Sequence, residues 1–188
     1  GHGLLLLVDI DRFKQINDTR GHAAGDLLLR ETAQRIRECV HQDDTVARVG
    51  SNTFAVLVPD IAATAELTLE RARALAERVH QRLAAPHDLG DQKRLYVTTS
   101  AGLALFGVDT GVPSPTALLQ HAELALYRAK DEGGNAVLFF DAPMQAAVDA
   151  RAALETGLRE AIEHRAFQLF YQVQVGLGGD VVGAEALI

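Results

Sequence analysis

Asp9 and Asp11 straddle Ile10 at the end of the apolar run Leu4 to Val8. Side chains two apart on an extended chain project to the same side, so both carboxylates would face one space if the strand persists. Hard oxygen ligands of that kind suit Mg2+. An acidic residue at a strand end also terminates the strand or caps the next helix, and the pair by itself leaves both readings open. Lys14, Asn17 and Asp26 follow closely. Taken singly, Lys14 reads as a solvated helix side chain, Asn17 as a helix C-terminal residue and Asp26 as an N-cap. Lys130, far along the chain, reads as a solvated helix-end residue.

These residues need elements to hold them. Leu4 to Val8 has the pattern of a central strand buried on both faces, which puts chemistry at its carboxyl end. Arg12 to Asp18 reads as a short helix, broken by Gly21 to Gly25 before a longer one from near Asp26 to about His41. In that longer helix Leu28, Leu29, Thr32, Ile36 and Val40 form one stripe. Thr45–Val49 and Phe54–Val58 flank Gly50, Ser51 and Asn52, a β-hairpin closed by Pro59 and Asp60. Thr64 to Ala85 has a strong helix-forming composition stopped by Pro86. Arg94 to Phe106 is a strand candidate, Thr116 to Asp131 a helix ended by Gly133 and Gly134, and Val137 to Phe140 a short strand. The alternation predicts an α/β sandwich, a sheet of about five strands with helices on its faces.

Bulk properties exclude several classes. The chain is 48% hydrophobic and 23% charged, the balance of an ordinary globular protein. Its net charge of -7 argues against binding to nucleic acid or to an anionic membrane surface. The run from Leu4 is far shorter than the roughly 18 residues of a membrane span. A lone cysteine, Cys39, allows no internal disulfide and fits a reducing cytoplasm. The expected localisation is cytoplasmic, with any membrane anchor of a parent protein lying upstream.

Asp9 to Asp18 reads DIDRFKQIND and Gly21 to Asp26 reads GHAAGD. This resembles the GGDEF family, whose signature is DIDxFKxIND followed by GHxxGD, over residues 4 to about 141. The resemblance implies a nucleotidyl-cyclase-like, ferredoxin-like sandwich that condenses two GTP molecules into cyclic di-GMP across a transient homodimer. It further implies that Asp9 and the Ile10 carbonyl hold Mg2+ together with bound GTP, that Lys14 meets the phosphates, and that Asn17 with Asp26 reads the guanine. A carboxylate accepts from both N1–H and the exocyclic amine of guanine, and an amide both donates and accepts, so adenine would leave partners unsatisfied. Tyr127 to Asn135 reads YRAKDEGGN, similar to the family's YxAKxxGRN; Lys130 then matches a phosphate-contacting lysine.

The namesake tip departs from the pattern. Arg48 to Phe54 reads RVGSNTF, so Gly50 and Phe54 are kept while Ser51 replaces the second glycine, Asn52 the aspartate and Thr53 the glutamate. A Cβ at Ser51 obstructs close approach of phosphate to backbone. Asn52 stands where the resemblance puts a carboxylate that ligates metal and helps deprotonate the attacking 3′-hydroxyl, and a neutral amide cannot take that proton. Gly134 replaces an arginine whose fork would grip phosphate oxygens. The inhibitory RxxD pattern of active cyclases falls on His41, Gln42, Asp43 and Asp44, without its arginine.

Pro143 opens a connecting helix from about Met144 to His164, with Ala147, Leu154, Leu158 and Ile162 as a packing stripe. Residues 167–188 read FQLFYQVQVGLGGDVVGAEALI, similar to the opening of EAL phosphodiesterase domains, and Glu185, Ala186 and Leu187 match the EAL signature. In that family the glutamate is a metal ligand; a glutamate in a truncated strand is otherwise simply exposed. The expected organisation is a GGDEF-like domain lacking its first helix over 1–141, a connector over 142–166 and an EAL start over 167–188. The expected function is a catalytically impaired GGDEF domain, inactive as a cyclase, that regulates an attached EAL cyclic di-GMP phosphodiesterase, with GTP as its signal. A ligand-free structural or dimerisation module and a residual diguanylate cyclase are the alternatives.

Overall fold

The computed structural model describes residues 2–88, 94–107 and 114–187. The elements run β1 (His2–Ile10), α1 (Phe13–Arg20), α2 (His22–Glu38), β2 (Thr45–Arg48), β3 (Thr53–Ala62), α3 (Ala65–Ala84), β4 (His87–Asp88), β5 (Arg94–Leu95), β6 (Thr99–Gly107), α4 (Pro115–Asp131), β7 (Val137–Phe139), α5 (Ala142–Glu163), β8 (Phe170–Val175) and β9 (Val181–Leu187). Contacts divide the chain into two units, Gly1–Gln145 and Ala146–Ile188, with the division falling inside α5.

The first unit is built on a five-stranded sheet in the order β2-β3-β1-β6-β7, the mixed sandwich expected. β1 is its central strand, buried at every residue and paired antiparallel to β3 and β6. The alternation of side chains splits its apolar run between two cores. Leu4, Leu6, Val8 and Ile10 enter the larger one with Leu28 and Ile36 of α2 and Ala72, Val79 and Leu83 of α3. Leu5 and Leu7 enter the smaller one with Ala122 and Leu126 of α4. Each of these leucine, isoleucine and valine burials contributes about 1.5–3 kcal/mol, so the two faces of one strand fix where three helices must lie. Caps set helix starts: the Thr64 hydroxyl accepts from Leu67 N–H ahead of α3, and that of Ser114 from Ala117 N–H ahead of α4.

Four expectations are corrected. α2 begins at His22 rather than near Asp26, because Gly21, with φ of 83°, already makes the break. Gly25 is therefore helical, and Asp26 is no N-cap. β3 continues through Pro59 to Ala62; its pairing with β1 is irregular between His2 and Leu4, which accommodates a residue without an N–H donor. Arg94 to Phe106 is not one strand, since β5 pairs with β4 while β6 starts at Thr99 and pairs with β1.

A polar cluster joins α2 to the turn after α3. The buried Arg35 guanidinium donates to the carbonyls of Arg82, Ala85 and Pro86 and to the Glu31 carboxylate. His87, wholly buried, lies against it. Desolvation, reinforced by the Arg35 charge, lowers the His87 pKa from its ordinary 6.5. The Leu83 carbonyl, 3.0 Å from Nε2, and the Glu31 carboxylate, 3.2 Å from Nδ1, act in the opposite direction and are outweighed by the burial. The folded state thus takes up its proton at lower pH than the unfolded chain. Its contribution is fully present above pH 6.5 and lost as pH falls from there through the depressed folded value. Urea midpoints at about pH 7.5 and about pH 5.5 should differ more in the parent protein than in His87→Gln.

In the second unit, β8 and β9 form an antiparallel hairpin over a turn in which Gly179 has φ of 86°. The β8 side chains are all exposed, as are Leu154, Leu158 and Ile162 of α5. The Ala147 side chain lies outside the described residues.

Candidate functional site

Asp9 shares the β1 face of Leu5 and Leu7, which is the face α4 covers. On α4, Ala122 and Leu126 pack beneath those leucines, and Lys130 continues the stripe by one more turn. That places Lys130 Nζ 2.7 Å from Asp9 Oδ1. The sheet register sets Asp9 opposite Thr53 of β3, whose hydroxyl donates to Asp9 Oδ2 at 2.7 Å.

The β2–β3 turn delivers the third donor. Arg48 Nε and Nη2 donate to the carbonyls of Gly50 and Ser51, pinning the tip, while the buried Phe54 anchors it in the core. Asn52 Nδ2 then donates to Asp9 Oδ1 at 2.8 Å and to the Ile10 carbonyl at 2.9 Å. Two acceptors converge on this amide, so its amino end must face them. Its Oδ1 points the other way and accepts from the Ser51 hydroxyl at 3.0 Å.

Asp11 does not join Asp9. β1 ends at Ile10, the alternation stops, and Asp11 accepts instead from the Ser100 hydroxyl and the Asn135 N–H. Its role here is to tie the loop after α4 to β6.

Asp9, Ile10, Asp11, Lys14, Asn17, Ser51, Asn52, Lys130 and Gly134 line one cleft of about 750 Å³, together with Arg12, Phe13 and Gly133. Three cationic side chains therefore face two carboxylates. Asn17 Oδ1 is buried without a hydrogen-bond partner, and a Cβ on Gly25 would collide with it, so the glycine lets α1 and α2 approach. Asp26, exposed on α2, is not among the lining residues. Glu185, Ala186 and Leu187 lie in the second unit on β9, opposite Gln172, Tyr171 and Phe170, and are exposed.

Sequence reasoning missed Arg12, which sits left-handed at φ of 53° ahead of α1. It also missed Arg71 and Arg78 of α3, which line a second cleft of about 590 Å³ with His41, Asp43 and Asp44. Both guanidiniums donate to backbone carbonyls, of Ile61 and Cys39. The signal for Arg12 lay in no motif, because its position in the signature is variable.

The corner at Asp9 does not fit a divalent cation as it stands. Its one carboxylate already receives three donors, and the Ile10 carbonyl receives another. Among the described residues no group of three or more His, Cys, Asp or Glu side chains is placed to hold a metal ion. An ion arriving with a nucleotide would have to displace Asn52 and Lys130.

The family model described as "Diguanylate cyclase, GGDEF domain" matches residues 1–136. The bifunctional diguanylate cyclase/cyclic di-GMP phosphodiesterase MucR of Pseudomonas aeruginosa is 36% identical over 189 residues, covering 98% of this chain and 26% of that protein. The cyclic di-GMP phosphodiesterase PdeR of Escherichia coli is 35% identical, covering 98% and 26%. The chain thus spans about a quarter of the length of these relatives. Among solved structures, a form of YfiN (TpbB) from Pseudomonas aeruginosa comprising only the GGDEF domain superposes with a TM-score of 0.71 at 33% identity, covering 79% of this chain and 82% of that one. No described helix is long and apolar enough to cross a membrane.

Proposed function

The chain belongs to the GGDEF family, and on that premise we propose that it is a catalytically impaired GGDEF domain that binds GTP and regulates an attached EAL cyclic di-GMP phosphodiesterase. The observation that carries this reading is the Asn52 amide, which donates to Asp9 and Ile10 where a base would have to accept a proton. The cleft beside it keeps what a nucleotide needs. Lys14, Lys130 and Arg12 supply charge for phosphates, and Asn17, which lines the same cleft, carries an amide that can both donate to and accept from a guanine edge. Asp26, on the neighbouring helix, completes the guanine reading by resemblance.

Residues 142–166 serve as connector and 167–188 as the start of the phosphodiesterase domain, as the names of MucR and PdeR support. Regulation requires the two states of that enzyme to differ in GTP affinity. Calorimetric titration tests the reading. GTP is expected to bind in preference to ATP, and Asp26→Ala to abolish that preference while leaving the fold intact. No heat at millimolar GTP would overturn the nucleotide reading and leave a ligand-free module.

A further inference from the structure

We infer that the substitutions at 52 and 53 have turned the Asp9 corner into a self-neutralised network, so that the cleft takes a guanine nucleotide without a divalent cation. The nucleotide half of this rests on the function proposed above; the cation half does not. Asp9 is 3% exposed, and a carboxylate so buried is costly unless paired and hydrogen-bonded. Here it is both. Asn52 Nδ2 and Thr53 Oγ1 occupy one oxygen each, and the Lys130 ammonium stands 2.7 Å from Oδ1 as a built-in cation. The Ile10 carbonyl is satisfied by the same amide.

An acid at 52 would reverse this. Its oxygens would meet Asp9 Oδ1 and the Ile10 carbonyl, so that acceptors alone converged, and a cation would be needed to hold them together. With Asn52 in place, an incoming Mg2+ must strip donors from Asp9 and approach the Lys130 charge. Phosphate oxygens can instead meet the Arg12 and Lys14 side chains, which line the same cleft outside the Asp9 network.

Thermal unfolding of the full chain without nucleotide, in chelator and in millimolar Mg2+, tests the cation half. The parent protein is expected to melt at the same temperature in both. Asn52→Asp is expected to melt lower in chelator and to rise by about 2–4 °C with Mg2+, a change on the scale of one ordinary interaction in a domain of this size. Should that variant not fold, Lys130→Gln removes the built-in cation and is expected to show the same Mg2+ response. A Mg2+-dependent rise in the parent, or equal responses in parent and variant, overturns the inference. For the nucleotide half, GTP is titrated in both buffers. Affinities within about twofold support it, and binding roughly tenfold tighter with Mg2+ overturns it. Absence of binding in both removes the proposed GTP reading, while the melting experiment still decides the cation half.

Discussion

Gly102→Ala is expected to lower stability by about 3 kcal/mol, a fall in melting temperature of roughly 6–12 °C for a chain of this length. Gly102 lies on β6 directly opposite Leu7 of β1. A Cβ there would meet Leu126 N and the Ala122 carbonyl oxygen, with Leu126 Cα at 2.8 Å. These are backbone atoms of α4, so no rotamer change relieves the overlap and the helix must lift from the sheet. Lifting α4 also separates Leu126 from Leu5 and Leu7 and draws Lys130 away from Asp9. Nucleotide affinity should therefore fall together with stability. Urea denaturation and calorimetry measure the two; a variant as stable as its parent would show that α4 is not seated on β6 as described.

Restoring the signature by Ser51→Gly, Asn52→Asp and Thr53→Glu is expected to raise formation of cyclic di-GMP from GTP by about 10² to 10⁴, the range a general base contributes. Asn52 now spends its amino group on Asp9 Oδ1 and the Ile10 carbonyl, so nothing at this corner is free to accept a proton. The same change supplies a second carboxylate, and with it a place for the cations on which phosphoryl-type transfer depends. Gly134 would still withhold an arginine. With φ of 77° and a Cβ there only 3.2 Å from Asp11 Oδ2, that position resists side chains. Product formation by the triple variant, followed by chromatography, is the measurement. A parent protein that already turns over GTP robustly would refute the impairment.

The fold was legible where one local pattern sufficed. The unbroken run Leu4 to Val8 points to the central strand because it is too short for a buried helix and suits a strand covered on both faces, and the α4 composition ends cleanly at the Gly133–Gly134 pair. Legibility failed where a glycine or an acid had a tertiary reason. Gly25 looked like a breaker, yet it is a helical contact against Asn17. Asp11 looked like a partner for Asp9, yet Ser100 and Asn135 claim it once the strand ends. The Lys130–Asp9 pair joins residues far apart in sequence, and no spacing rule announces it; it follows from two periodicities, of strand and helix, meeting on one face. The chemical roles of Lys14, Asn17 and Asp26 came from the resemblance, since each alone reads as an ordinary surface side chain.

The position of β1 between β3 and β6 shapes how the chain is born. This most apolar strand leaves the ribosome first among the sheet elements, but β3 begins only at Thr53 and β6 ends at Gly107. At roughly 5–20 residues per second, several seconds pass before both neighbours exist. During that interval a leucine-rich segment with two unpaired edges is available to any other nascent chain. Production of the isolated domain should thus depend on chaperone supply and translation speed more steeply than its finished stability would suggest.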